Sequence, residues 1–160
     1  IFDQLYLGSR HEASNEGWLT SHHITHVVNC AIELPAYFPE RYAYLNLKLD
    51  DVPSQSIYHV LERSFNFILD AIGKGGNVLV HCAAGISRSV SVVVYFIMKI
   101  KDVSFDEALK YVKSKREIAN PNQGFAYQLI SVSPQVISQS IPSSSSSSPS
   151  SSYERQYSVE

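Results

Sequence analysis

The nineteen residues VLVHCAAGISRSVSVVVYF, from Val78 to Phe96, constrain the fold more than any other stretch of the chain. A β-branched run leads directly into His81, Cys82 and a loop of small residues, and a second apolar run follows at once. Polar groups held between two segments fit for a core are costly unless they find partners there, so they must meet at one organised point. In α/β sheets the loop between a strand and the next helix is where ligands bind. If a helix starts near Arg88, the N–H groups of Ala83, Ala84, Gly85, Ile86, Ser87 and Arg88 lack carbonyl partners on their own chain and can converge on a single anion. Gly85, flanked by the small Ala83 and Ala84, lets the backbone curl into such a cradle.

The same loop activates a nucleophile. A thiol with its ordinary pKa of about 8.5 is only about 3% thiolate at pH 7, so a useful Cys82 needs a lowered pKa. The N–H cluster, the helix dipole and the guanidinium of Arg88 all favour the anion. Arg88 also offers two-pronged hydrogen bonding to phosphate oxygens, which a lysine could not reproduce. On propensity alone SVSVVVYFIMKI reads as a strand. The loop chemistry requires a helix there, from about Ser87 to Lys101.

The rest of the chain supplies an α/β scaffold for that loop. LYLGS at 5–9 and ITHVVNCA at 24–31 read as short strands around a polar segment of helix and turns. Ala43, Leu45, Leu47 and Leu49 alternate with polar residues as a half-exposed strand does, and that strand stops at Asp51, before Pro53. Ile57, Leu61, Phe65, Ile68, Leu69 and Ile72 form a helical stripe closed by GKGG. NVLVHC follows as a buried strand, Ser104 and Glu107 form a capping box for a helix to about Lys115, and NQGFAYQLISV closes the patterned region as a last helix. Strand and helix alternate, so helices are expected on a central sheet. With 160 residues, 44% of them hydrophobic and a net charge of −2, one globular domain is expected at 1–136, and a nucleic-acid partner is not. Serine and proline dominate 137–160, which reads as a flexible tail with Tyr153, Tyr157 and its serines as candidate phosphorylation sites. No run approaches the length of a membrane span, and no leader pattern opens the chain, which points to the cytoplasm, the nucleus or both. A chain that begins at Ile1 and is strand-like by Leu5 points to a longer parent.

VHCAAGISRS fits the HCxxGxxRS form of the cysteine-dependent phosphatase signature, and 1–133 as a whole resembles the dual-specificity protein phosphatase catalytic domain. YLGS, HVVNCA, an aspartate upstream of the signature and PNQGFAYQL after it carry the resemblance further. It implies a central mixed β-sheet flanked by α-helices and hydrolysis of phosphotyrosine and phosphoserine or phosphothreonine in proteins, with no metal or other cofactor. Cys82 would be the nucleophile and Arg88 the phosphate ligand. Ser89 would assist the departure of the cysteine, His81 would be structural, and Asn122 would brace the site. The general acid is Asp50 or Asp51 by position. Asp50 keeps the outward phase of Asn46 and Lys48, whereas Asp51 starts a loop able to swing, and the family's acid, about thirty residues before the cysteine, aligns with Asp51. Phosphorylated proteins, a protein kinase among them, are the implied partners.

Other readings compete. Cys30 is either a small core residue or a redox partner for Cys82. His22, His23 and His26 read as a polar turn before a strand more readily than as metal ligands. Lys113, Lys115 and Arg116 read as a solvated helix end, with substrate attraction as the alternative. For the whole chain, a phosphoinositide or RNA 5′-triphosphate phosphatase and a catalytically weak phosphoprotein-binding module stand beside the protein phosphatase.

Overall fold

The computed structural model describes residues 1–134, so the serine-rich segment expected at 137–160 lies outside the described residues. The elements run β1 (Leu5–Gly8), α1 (Arg10–Ala13), α2 (Glu16–Ser21), β2 (Ile24–Ala31), β3 (Ala43–Leu49), α3 (Tyr58–Gly73), β4 (Asn77–His81), α4 (Arg88–Lys101), α5 (Phe105–Lys115) and α6 (Gln123–Ser131). The four strands form one sheet in the order β1-β4-β2-β3, and every pairing is parallel. The sheet is therefore parallel and not mixed. No two of its strands are joined by a hairpin, and crossovers return each strand in the same direction. The antiparallel contact among the described residues is an isolated bridge, Phe2 to Leu5.

Two cores cover the two faces of this sheet. Val78, Val80 and Cys82 face one layer with Val28, Leu45 and Leu47, against α3, α4, α5 and α6. Leu79 faces the other with Val27 and Ile24, against Ala13 of α1 and Leu19 of α2. The alternation along β4 thus places the Cys82 side chain on the α4 side of the sheet. The chain forms a helix at 88–101 although it is rich in valine, because that helix is central: Arg88 to Met98 are all buried. An all-round apolar sequence suits a helix with neighbours on every side, and tertiary burial overrides β propensity.

Several local signals act as their chemistry demands. Ser104 and Glu107 exchange hydrogen bonds as a capping box on α5. Past α3, Gly75 takes φ 79° and lets the chain reverse into β4. The histidine cluster packs with aromatic rings: His22 stacks on Trp18 at 3.9 Å between centroids, and His26 meets Phe67 edge-on.

The buried run of α4, which ends before Ile100, has a direct check in stability. Ile97 is fully buried and Ile100, three residues on, is 47% exposed. Ile97→Ala is expected to lower unfolding stability in urea by about 2–5 kcal/mol, and Ile100→Ala by no more than about 0.5 kcal/mol. Equal losses would contradict this placement of α4.

Candidate active site

The phosphate-loop candidate, residues 82–88, is held from outside by its carbonyls. Ala83 O accepts from Arg10 N at 3.2 Å, Ala84 O from Arg116 Nη2 at 3.1 Å and Gly85 O from Arg116 Nε at 2.7 Å. Ile86 O accepts from Asn120 N at 2.8 Å, and Ser87 O from the N–H and hydroxyl of Ser91 at 2.9 and 2.8 Å. A peptide unit whose carbonyl is fixed on one side presents its N–H on the other, and the N–H of Gly85 turns to the Cys82 sulfur at 3.2 Å. Gly85 makes the curl possible at φ 68°, and a Cβ there would lie 2.6 Å from Gly8 O.

Cys82 opens the loop and is 1% exposed. Its sulfur is 3.2 Å from Ser89 Oγ and accepts the Gly85 N–H at 3.2 Å. Burial works against the thiolate, but the hydrogen bonds from the Ser89 hydroxyl and from the N–H groups of Ser89, Gly85 and Ile86 outweigh it, and the thiol pKa falls below its ordinary value. His81 faces away from this point, and burial drives its pKa down to about 4, so it is a neutral ring at pH 7.

Arg88 enters the site from the first turn of α4, its side chain 7% exposed. Nη1 and Nη2 donate to the two carboxylate oxygens of Glu33 at 2.6 and 2.7 Å, and Nη1 also reaches Leu49 O at 3.1 Å. Burial alone would lower the arginine pKa, but Glu33 reverses the effect and fixes the charge. The buried Nε makes no hydrogen bond among the described residues and lies 3.8 Å from Asp51 Oδ2. The position of Leu49 O depends on a bulge at the end of β3, where Lys48 has φ 53° and the register against β2 shifts between Asn29 and Ala31.

Of the two aspartates, the structure brings Asp51 to the loop. Asp51 Oδ1 accepts from Ser87 Oγ at 2.7 Å and from Asn122 Nδ2 at 2.9 Å. Asp50 is exposed, and its recorded hydrogen bond is a backbone one, to Gln55 Oε1. The segment after Asp51 packs on α6. Gln128 donates to Gln55 O at 2.9 Å and accepts from Ile57 N at 2.8 Å. Gly124 packs so closely that an added Cβ would lie 1.9 Å from Pro53 O.

Glu33 and Gln128 escaped the sequence reading, and Arg116 makes a contact that it did not foresee. Arg116 is no solvated helix end, because it grips two loop carbonyls, and backbone partners leave no mark in a residue pattern. Glu33 follows β2 in a loop without periodicity, whereas Gln128 stands inside the PNQGFAYQL motif and could have been drawn from it. Cys30 packs in the core. The β2–β4 register, which pairs Asn29 with His81, brings it alongside Cys82. Burial pushes the Cys30 thiol well up, with the Cys82 charge adding to it, so it is a protonated neighbour.

Residues 5–135 match the family described as dual specificity phosphatase, catalytic domain. The chain belongs to this family. It is 44% identical over 129 residues to a probable rhodanese domain-containing dual specificity protein phosphatase of Dictyostelium discoideum, covering 81% of this chain and 27% of that protein. It is 39% identical over 125 residues to dual specificity protein phosphatase 1B of Arabidopsis thaliana, covering 78% of this chain and 75% of that protein. Among solved structures, human DUSP28 superposes with a TM-score of 0.80 at 31% identity, over 87% of this chain and 97% of that one. The chain thus spans only about a quarter of the Dictyostelium relative's length. Among the described residues no helix is long and apolar enough to cross a membrane.

Two measurements check this geometry. Alkylation of Cys82 by iodoacetamide is expected to fall away only when pH drops through a thiol pKa below the ordinary one, and Ser89→Ala should move that midpoint to higher pH. An unmoved midpoint contradicts the role given to the Ser89 hydroxyl. Gly124→Ala should push the Asp51 loop off α6, speeding amide exchange at Ile57 while β2 and β4 exchange as before. Unchanged exchange at Ile57 contradicts the attachment.

Proposed function

We propose that this domain hydrolyses phosphotyrosine and phosphoserine or phosphothreonine in proteins through a phosphocysteine on Cys82. The observation that carries the reading is the convergence of three groups: a thiol with a lowered pKa, the Arg88 Nε, and the Asp51 carboxyl 3.8 Å from that nitrogen. In the first step the Cys82 thiolate attacks phosphorus and the bond to the phenol or alcohol oxygen breaks. Asp51 passes its proton to that leaving oxygen, while Arg88 and the N–H groups of 83–88 hold the phosphoryl oxygens. In the second step Asp51 takes a proton from water, the water oxygen attacks phosphorus and the S–P bond breaks. The Ser89 hydroxyl, 3.2 Å from the sulfur, stabilises the departing thiolate. These steps call on no metal.

Phosphorylated proteins, a protein kinase among them, are the proposed partners, in the cytoplasm, the nucleus or both. The alternatives fit less well. A phosphoinositide or an RNA 5′-triphosphate would favour cationic side chains within the loop, and Ala83, Ala84, Gly85, Ile86 and Ser87 supply none. A binding module without turnover would have no use for an acid anchored by two donors.

The purified domain is expected to hydrolyse para-nitrophenyl phosphate and both esters of a doubly phosphorylated peptide faster than a phosphoinositide. Cys82→Ser should abolish turnover. Asp51→Asn should lower peptide turnover about a hundredfold, and Asp50→Asn should leave it near wild type. Turnover surviving in Cys82→Ser would falsify the mechanism, and lipid turnover exceeding peptide turnover would remove the protein-substrate reading.

A further inference from the structure

Asp51 is held by one oxygen only. Its Oδ1 accepts two donors, the Ser87 hydroxyl at 2.7 Å and Asn122 Nδ2 at 2.9 Å, which occupy both lone-pair directions of that oxygen. The donors are themselves committed. The Ser87 oxygen accepts the Asn122 backbone N–H at 3.0 Å, so its single proton is left for Asp51. Asn122 Oδ1 caps α6 by accepting Phe125 N at 3.0 Å, which turns its amide nitrogen toward Asp51 and fixes which way the side chain faces. By contrast Asp51 Oδ2 lies 3.8 Å from Arg88 Nε, beyond hydrogen-bond distance, and faces the loop.

We propose that Ser87 and Asn122 are positioning residues that commit Asp51 Oδ1, so that the catalytic proton resides on Oδ2 and is delivered from there. The assignment rests on the phosphatase reading above and deepens it. A proton on Oδ1 would point at two N–H and O–H donors, whereas a proton on Oδ2 points into the space beside Arg88 where the leaving oxygen of a bound phosphate ester must lie. In the first step that proton moves from Oδ2 to the leaving oxygen. In the second the same oxygen receives the proton of the attacking water, which restores the acid. Ser87, in the last loop position before Arg88, thereby couples the phosphate cradle to the acid. Asn122 couples the acid to α6, which also holds the following loop through Gln128.

The test uses leaving groups of different acidity, because only a poor leaving group needs the proton. Wild type, Ser87→Ala, Ser87→Thr, Asn122→Ser and Asp51→Asn are assayed on para-nitrophenyl phosphate and phenyl phosphate. Each positioning variant is then combined with Asp51→Asn. Asn122→Ser keeps a helix-capping oxygen while removing the amide donor, so it serves even if Ser87→Ala does not fold. Ser87→Ala and Asn122→Ser are expected to lose about tenfold more kcat on phenyl phosphate than on para-nitrophenyl phosphate, with KM little changed. Ser87→Thr should restore the phenyl phosphate rate, and neither positioning change should lower kcat further in Asp51→Asn. Equal loss on the two esters, or loss that persists in Asp51→Asn, overturns the assignment and leaves the phosphatase reading standing. Failure of wild type to turn over either ester overturns both.

Discussion

The outward anchoring of the carbonyls of residues 83–87 is the constraint on which the site depends. Each is held by a group from elsewhere in the chain, namely Arg10, Arg116, Asn120 and Ser91. These donors come from the starts of α1 and α4, the end of α5 and the segment before α6. The path of the loop is thus a product of the whole fold and not of the signature alone. A buried thiol in an apolar setting would be a weaker acid than a free one, and at Cys82 the direction is reversed because donors surround it. The donors proposed to receive an anion are among those that lower the Cys82 pKa.

The second half of the site comes from the far end of the chain. Asp51 lies beyond β3, and α6 supplies the surface that fixes it through Asn122, Gly124 and Gln128. Arg88 is set in a similar way. Glu33 after β2 and the carbonyl of Leu49 at the bulged end of β3 hold its two Nη atoms, leaving Nε turned to the reaction space. Each reacting group therefore has one edge fastened to the scaffold and another free. Preorganisation of this kind places donors where charge develops, without reorganisation at the moment of reaction.

Much of this was legible in the sequence, for identifiable reasons. A buried strand, small loop residues and a helix forced by the loop chemistry follow from the residue order, and the structure has β4 ending at His81 and α4 starting at Arg88. Asp51 could be preferred over Asp50 from strand phase, and the capping box of α5 follows from residue spacing. What escaped was contact between a side chain and distant backbone. Arg116 looked like one more cation at a helix end, because the carbonyls of Ala84 and Gly85 that it grips have no residue identity. The attachment of the loop after Asp51 stayed hidden for the same reason: Gln128 meets it through the backbone of Gln55 and Ile57, which periodicity does not reveal. The direction of the sheet also lay outside local pattern, since parallel and antiparallel strands share the same alternation.

The account stands most directly on the inward-facing donor ring, and amide NMR reads that ring residue by residue. Titration of the domain with inorganic phosphate should shift the N–H resonances of Ala83 to Arg88 together, along one binding curve. Arg88→Lys should weaken that curve while the same set of amides still responds. Shifts scattered over other elements, with the 83–88 amides unmoved at saturating phosphate, would contradict the central claim.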